Sequence, residues 1–265
     1  MGLSSSRGLG ERRTRHRFYV STVLNAGNIV DLPTDVENQI RRVLRMIPGD
    51  DVILFDNTGN EYSAELEKIS PEGVSARVIC DLPTRTEPTV RTVIYQAMIR
   101  HEPFEMVLQK CTELGATSFV PLLTSRVQGG RPLRTASARA TRWKSIIREA
   151  AEQSNRVRLP SLKPAMCFRE ALSTACANGL TIILSEHTQK PSLKVVLSGV
   201  LNQVSSQTTI SLMIGPVGGF LVEEVEQARA AGALAASLGP RILRAETASI
   251  AALSIVLYEL GELGG

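Results

Sequence analysis

Ile210-Ser211-Leu212-Met213-Ile214-Gly215-Pro216-Val217-Gly218-Gly219-Phe220 is an apolar run that breaks into a glycine-rich loop, with helical spacing resuming at Glu223. The run suits a buried strand. The glycines after it let the backbone approach a ligand closely and take up positive φ. Outward from this stretch the same rhythm repeats. Strand candidates fall at Val90–Ala97, Ser118–Leu123, Leu180–Ser185, Ile210–Ile214 and Ala233–Leu238. Helix candidates lie between them at Glu102–Leu114, Ala138–Ser154, Phe168–Ala177, Glu223–Ala231 and Thr247–Leu260. This alternation predicts a parallel sheet covered by helices, whose ligands bind at the carboxyl ends of the strands. The loop is no P-loop, since no Gly-Lys-Ser/Thr follows, and it is not the dinucleotide G-x-G-x-x-G. On its own it suits a tight turn and a cofactor site equally well.

A second Gly-Pro turn, Leu238-Gly239-Pro240-Arg241-Ile242-Leu243-Arg244-Ala245-Glu246-Thr247, also sits between a strand and a helix. Two such loops at one sheet edge favour a shared site over two unrelated turns. Arg244 and Glu246 are the chemically interesting pair. Each also has a plain structural reading, a solvated loop arginine and a first-turn carboxylate favoured by the helix dipole.

The front of the chain reads differently. Short β-prone segments recur at His16–Val20, Asp51–Phe55, Glu61–Ile69 and Gly73–Cys80, with helical spacing over Asp35–Met46. Such a pattern predicts a compact β-barrel with one helix. The expected organisation is a basic tail at 1–15, a β-rich domain at 16–82, a linker at 83–89 rich in proline, and an α/β domain at 90–265.

Composition narrows the function. The 265 residues are 43% hydrophobic and 21% charged, which excludes wholesale disorder and collagen-like repeats. No apolar run approaches the ~20 residues of a membrane helix, so a soluble protein is expected. The net charge of +4 is uneven: residues 1–160 carry 23 basic against 18 acidic groups, and residues 161–265 carry 7 against 8. Positive charge confined to the front hints at a polyanion such as RNA, although arginine-rich coding gives the same excess. Ser125–Arg148 holds six arginines and a lysine with no acid among them; its first part, through Gly129-Gly130-Arg131-Pro132, is expected to be loop. A cationic segment of this kind could track phosphates, or be a solvated helix face. The lone Trp143 is read as core. Cys80, Cys111, Cys167 and Cys176 have no paired spacing and there are only three histidines, so no metal site is expected. The cysteines are read as reduced and buried, which fits the cytoplasm. Met1–Arg17 has a faint transit-peptide character, making organellar targeting the lesser alternative to a basic tail.

Four ordered motifs then carry a resemblance: Gln109-Lys110-Cys111-Thr112-Glu113-Leu114-Gly115-Ala116; Trp143, Ile147 and Glu149-Ala150-Ala151-Glu152-Gln153-Ser154 with Arg156; Gly215-Pro216-Val217-Gly218-Gly219-Phe220; and Leu238-Gly239-Pro240-Arg241-Ile242-Leu243-Arg244. Together with Arg15-His16-Arg17-Phe18-Tyr19-Val20 and Arg41-Arg42-Val43-Leu44-Arg45, they resemble the RsmE family of 16S rRNA uridine-N3 methyltransferases in the SPOUT superfamily. The resemblance implies an α/β fold: a C-terminal SPOUT-type trefoil-knot methyltransferase domain behind an N-terminal PUA-like β-barrel, as a homodimer. It implies S-adenosyl-L-methionine as cofactor, held by Leu184, Ser185, Glu186, Ile214, Gly215, Pro216, Gly218, Gly219, Ser237, Leu238, Gly239, Ile242, Leu243 and Thr247. It makes Arg244 and Glu246 the catalytic candidates, and 16S rRNA in the small subunit the partner. The rRNA would be held by Arg15, Arg17, Arg41, Arg42, Arg45, Arg126, Arg131, Arg134, Arg139 and Arg156. The chain departs from the family pattern at Val217, where Glu is usual, and at Ala245, where Thr is usual. Each change deletes a polar group, so a catalytically weakened RNA-binding or ribosome-assembly protein of the same fold is the alternative.

Overall fold

A computed structural model of the chain describes residues 16–127, 130–186, 191–200, 202 and 204–264, without the side chains of 130–133. The expected tail at 1–15, and Arg15 with it, lies outside the described residues. The chain divides into two units, one ending at Arg85 and the other beginning at Thr86.

In the first unit β1 (Arg17–Tyr19), β2 (Ile29–Asp31), β3 (Asp51–Phe55), β4 (Glu61–Ser70) and β5 (Gly73–Leu82) form one sheet in the order β1-β3-β4-β5-β2. β1 runs parallel to β3, and the other pairings are antiparallel. Alternation decides the faces. On β5 Val74, Ala76 and Val78 point into the core while Arg77 stands outside, and a register shift between Val78 and Cys80 leaves Cys80 exposed as well. The expected helix is present as α1 (Thr34–Asn38) running into a π-helical turn over Gln39–Leu44, which Arg45 ends in a left-handed conformation (φ 52°). Val36 and Ile40 bury against Val52, Leu54, Leu66 and Val78. Glu37 fastens the helix to the sheet by accepting the Val74 N–H at 3.2 Å.

The second unit contains β6 (Arg91–Ala97), α2 (His101–Leu114), β7 (Ser118–Leu123), α3 (Gly130–Gln153), β8 (Ser161–Leu162), β9 (Met166–Cys167), α4 (Phe168–Asn178) and β10 (Gly179–Leu184). It continues through α5 (Leu193–Val200), β11 (Thr209–Ile214), α6 (Val222–Ala230), β12 (Leu234–Ala236) and α7 (Ala245–Glu259). Its strands are parallel throughout, ordered β12-β10-β11-β6-β7-β8, with β9 also on β7. Both faces are covered, which is why the strands read as nearly continuous apolar runs. Ile94, Ile182, Leu184, Ile210, Leu212 and Ile214 pack with α2, α3, α5 and α7. Their neighbours Tyr95, Val120, Leu122, Ile183 and Met213 pack with α4 and α6 on the other face. Trp143 is core, as read, with its ring centroid 4.5 Å from that of Phe104.

Three expectations need correction. Gly130-Arg131-Pro132 are not loop but the opening turn of α3, where proline is tolerated because first-turn N–H groups have no intrahelical acceptor. The helix α5 was not foreseen. The cysteines are not uniformly buried: Cys111 is enclosed, and burial pushes its thiol pKa up, but Cys80 and Cys167 are exposed and Cys176 half-buried. Cys80 lies on β5, and Cys167 lies at the boundary between β9 and α4.

Candidate functional site

The carboxyl ends of β6, β10, β11 and β12 surround a cavity of about 610 Å³. Its wall is made by Leu184–Glu186 after β10, Ile214–Gly219 after β11, and Ser237 through Glu246 between β12 and the first turn of α7. The two glycine loops therefore do converge on one site. Of the sequence-predicted cofactor positions, Leu184, Ser185, Glu186, Ile214, Gly215, Pro216, Gly218, Gly219, Ser237, Leu238, Gly239, Ile242 and Leu243 all line it. Thr247 does not; in the first turn of α7, it is exposed outside the wall. Arg244 and Glu246 line the same cavity, Arg244 exposed and Glu246 half-buried. With Ala248 of α7, the wall is completed by Ile99, Arg100 and Pro103, and these last three were missed. Their position just after β6 was the available signal, since ligands gather at the ends of parallel strands.

Local chemistry explains the loop shapes. Gly219 N–H donates to the Pro216 carbonyl at 2.9 Å, closing a turn whose third residue, Gly218, has φ +88°. Only glycine takes that position without strain. Gly215 is needed for another reason: a Cβ there would lie 3.0 Å from backbone atoms of Gly219 and Phe220. In the other loop the Ser237 hydroxyl accepts the Gly239 N–H at 3.1 Å and fixes the turn. Beneath the site, Ser249 of α7 donates to the buried Gln96 side chain of β6 and to the Ala245 carbonyl, tying the first turn of α7 to the sheet. The Ser185 hydroxyl, buried in the cavity wall, has no hydrogen-bond partner among the described residues.

The ten arginines proposed for RNA do not form one class. Arg42, Arg45, Arg126 and Arg134 are exposed, whereas Arg15 and the side chain of Arg131 lie outside what is described. Arg41 is engaged by Glu37 at 2.6 Å and by the Ser70 carbonyl at 2.8 Å. Arg139 and Arg142 both reach Glu105 of α2, at 3.2 and 2.8 Å. The hydrogen bond from Arg142 holds the Glu105 carboxyl below the usual carboxylate range. Two of the ten are enclosed by protein partners. The Arg17 side chain is 8% exposed, paired with Glu61 and 5.8 Å from the centroid of the Phe55 ring. The Arg156 side chain is 3% exposed; it pairs with Glu87 at 2.7 Å and donates to the carbonyls of Thr112 and Ala116 at 3.0 and 2.6 Å. Those carbonyls flank the end of α2, so Arg156 closes a helix terminus.

Among the described residues no group of His, Cys, Asp and Glu side chains is placed to hold a metal ion, and no helix is long and apolar enough to cross a membrane.

Comparison with known proteins agrees with this geometry. Residues 86–257 match the family described as the RNA methyltransferase domain, and residues 40–79 match the RNA methyltransferase PUA domain. The ribosomal RNA small subunit methyltransferase E of Bacillus subtilis is 30% identical over 86% of this chain and 89% of its own length. That of Synechocystis is 32% identical over 85% of this chain and 71% of its own. A crystal structure of the Neisseria gonorrhoeae ribosomal RNA small subunit methyltransferase E, bound to S-adenosyl methionine, superposes with a TM-score of 0.81. It is 30% identical and covers 92% of this chain and 97% of the other.

Proposed function

Because the chain belongs to the RNA methyltransferase family, among the small-subunit methyltransferases E, we infer that it transfers a methyl group from S-adenosylmethionine to N3 of a uridine in 16S rRNA. The observation that carries this reading is the single cavity built by the two glycine loops. Its volume, about 610 Å³, is in the range of small-molecule sites. The cofactor fits the residues present: the Ser185 hydroxyl lacks a partner among the described residues, and glycines at 215, 218 and 219 bring bare backbone to the wall. The loops Leu184–Glu186, Ile214–Gly219 and Ser237–Leu243 would hold it. When bound, S-adenosylmethionine supplies an activated methyl group.

The protein's own task is to orient the uracil and make N3 nucleophilic. N3 is a weakly acidic imide and attacks well only once its proton is gone. Glu246, half-buried in the first turn of α7, is the base in this reading. Arg244, exposed in the same wall, offsets charge that spreads onto the uracil oxygens. The exposed cations Arg42, Arg45, Arg126 and Arg134 hold the rRNA backbone. The family resemblance supports a cytoplasmic homodimer with a trefoil-knotted methyltransferase domain.

A calorimetric titration with S-adenosylmethionine tests the reading. Saturable binding to one site per chain is expected. Absence of binding would leave a non-catalytic RNA-binding protein of the same fold.

A further inference from the structure

The short 3-10 turn Ser125–Val127 leaves β7 and leads toward the basic helix α3, and it is fastened twice to the glycine loop. Arg126 donates to the Gly218 carbonyl, so closely that a Cβ on Gly218 would lie 2.5 Å from the guanidinium. The buried carboxylate of Glu224 makes the second bond: one oxygen accepts the Ser125 N–H at 2.8 Å, and the other accepts the N–H of Leu221, where that loop ends, at 2.9 Å. Glu224 is thus spent on two backbone donors and gives the turn and the loop a common anchor. Arg126 is different, because it is exposed and its guanidinium carries five donors. Arg134 and Lys144, further along the same basic stretch, are exposed as well.

We propose that Arg126 is a positioning residue that couples RNA binding to the cofactor loop, gripping the Gly218 carbonyl with one donor and an RNA phosphate with others. The inference rests on the reading of the cavity as the S-adenosylmethionine site. The planar guanidinium suits the task, since its fixed fork can hold two acceptors in a set geometry. A phosphate on Arg126 fixes the guanidinium, and the fixed guanidinium holds the Pro216–Gly219 turn in its cofactor-binding shape. Linkage makes the effect reciprocal: whatever factor RNA adds to cofactor affinity, the cofactor adds to RNA affinity.

The test measures S-adenosylhomocysteine, which has no methyl to transfer, by equilibrium dialysis with and without small ribosomal subunits that lack the modification. In the unaltered protein the Kd is expected to fall about fivefold or more when subunits are present, the lower end of ordinary coupling. In R126A and R126Q the ratio of the two Kd values falls to about one. R126Q is informative because it keeps a polar amide but carries no charge for a phosphate, and its side chain stops two bonds short of the atom that donates to the Gly218 carbonyl. R126K, which keeps the charge and loses the fork, retains part of the ratio. A purely structural Arg126 would weaken cofactor binding equally with and without subunits, leaving the ratio intact, and that result overturns the proposal. So does a ratio of one in the unaltered protein. Failure of the unaltered protein to bind S-adenosylhomocysteine at all would instead strike the reading of the cavity.

Discussion

Removing Glu87 should unfold the second unit more readily without touching RNA affinity. Glu87 receives the Arg156 guanidinium at 2.7 Å and also accepts the N–H groups of Val157 and Arg158 at 2.9 and 3.0 Å. In Glu87→Ala the guanidinium, 3% exposed, is left buried without its carboxylate. Breaking a buried pair from one side costs about 3–5 kcal/mol, mostly the penalty of the stranded charge. For a unit of this size each kcal/mol moves Tm by roughly 2–4 °C, so a fall of about 6–20 °C is expected. Arg156→Ala should also destabilise, by orphaning the carbonyls of Thr112 and Ala116. The double variant should lose less than the sum of the two, because neither charge is then stranded. Urea unfolding followed by Trp143 fluorescence reads the unit directly, since the only tryptophan lies in its core. In parallel, the salt dependence of RNA binding should be unchanged in Arg156→Ala. In Arg134→Ala, at an exposed position, its slope should drop by about 0.7–0.9. An unmoved urea midpoint with a reduced salt slope in Arg156→Ala would refute this account and return that residue to the RNA face.

Three further outcomes follow from the geometry. Gly219→Ala forces a side chain into φ +72° and sets its Cβ 2.9 Å from the Glu186 carboxylate, so calorimetry should show cofactor affinity reduced about five- to thirtyfold, the equivalent of about 1–2 kcal/mol of left-handed strain. Arg244→Ala should abolish methyl transfer while leaving cofactor binding, RNA affinity and thermal unfolding nearly unchanged; surviving turnover would remove Arg244 from the mechanism. The Glu105 bridge between α2 and α3 should weaken in acid. Its carboxyl is depressed by Arg142, so its contribution is complete above the ordinary carboxylate range and is lost as pH falls through the lowered value. Thermal unfolding against pH should therefore show a shallower acid limb in Glu105→Gln, and an unchanged limb would contradict the assignment.

The parts of the molecule most legible in sequence were the buried strands of the parallel sheet. Runs such as Ile210–Ile214 are apolar because helices cover both faces, and their ends fix where Gly215 and Gly239 must fall. Leu193–Val200 was not legible, because in eight residues the buried positions Leu193, Val196 and Leu197 repeat the helical spacing only once, too short a stretch to fix the period. Pro132 suggested a loop because proline breaks helices in their interior and its place in an opening turn is fixed by the fold. Charge was the least legible property. Arg156 and Arg126 look alike in sequence, yet one is walled in by Glu87 and two carbonyls while the other is exposed and donates to the Gly218 carbonyl. That difference depends on contacts 40 to 92 residues away along the chain, beyond the reach of any local pattern.

The most direct test of the central claim is mass spectrometry of nucleosides from 16S rRNA, after purified protein and S-adenosylmethionine are incubated with small subunits lacking the modification. The account predicts a single new 3-methyluridine per subunit, dependent on both protein and cofactor. No incorporated methyl, or a methyl on a carbon or ribose oxygen instead of N3, would contradict it.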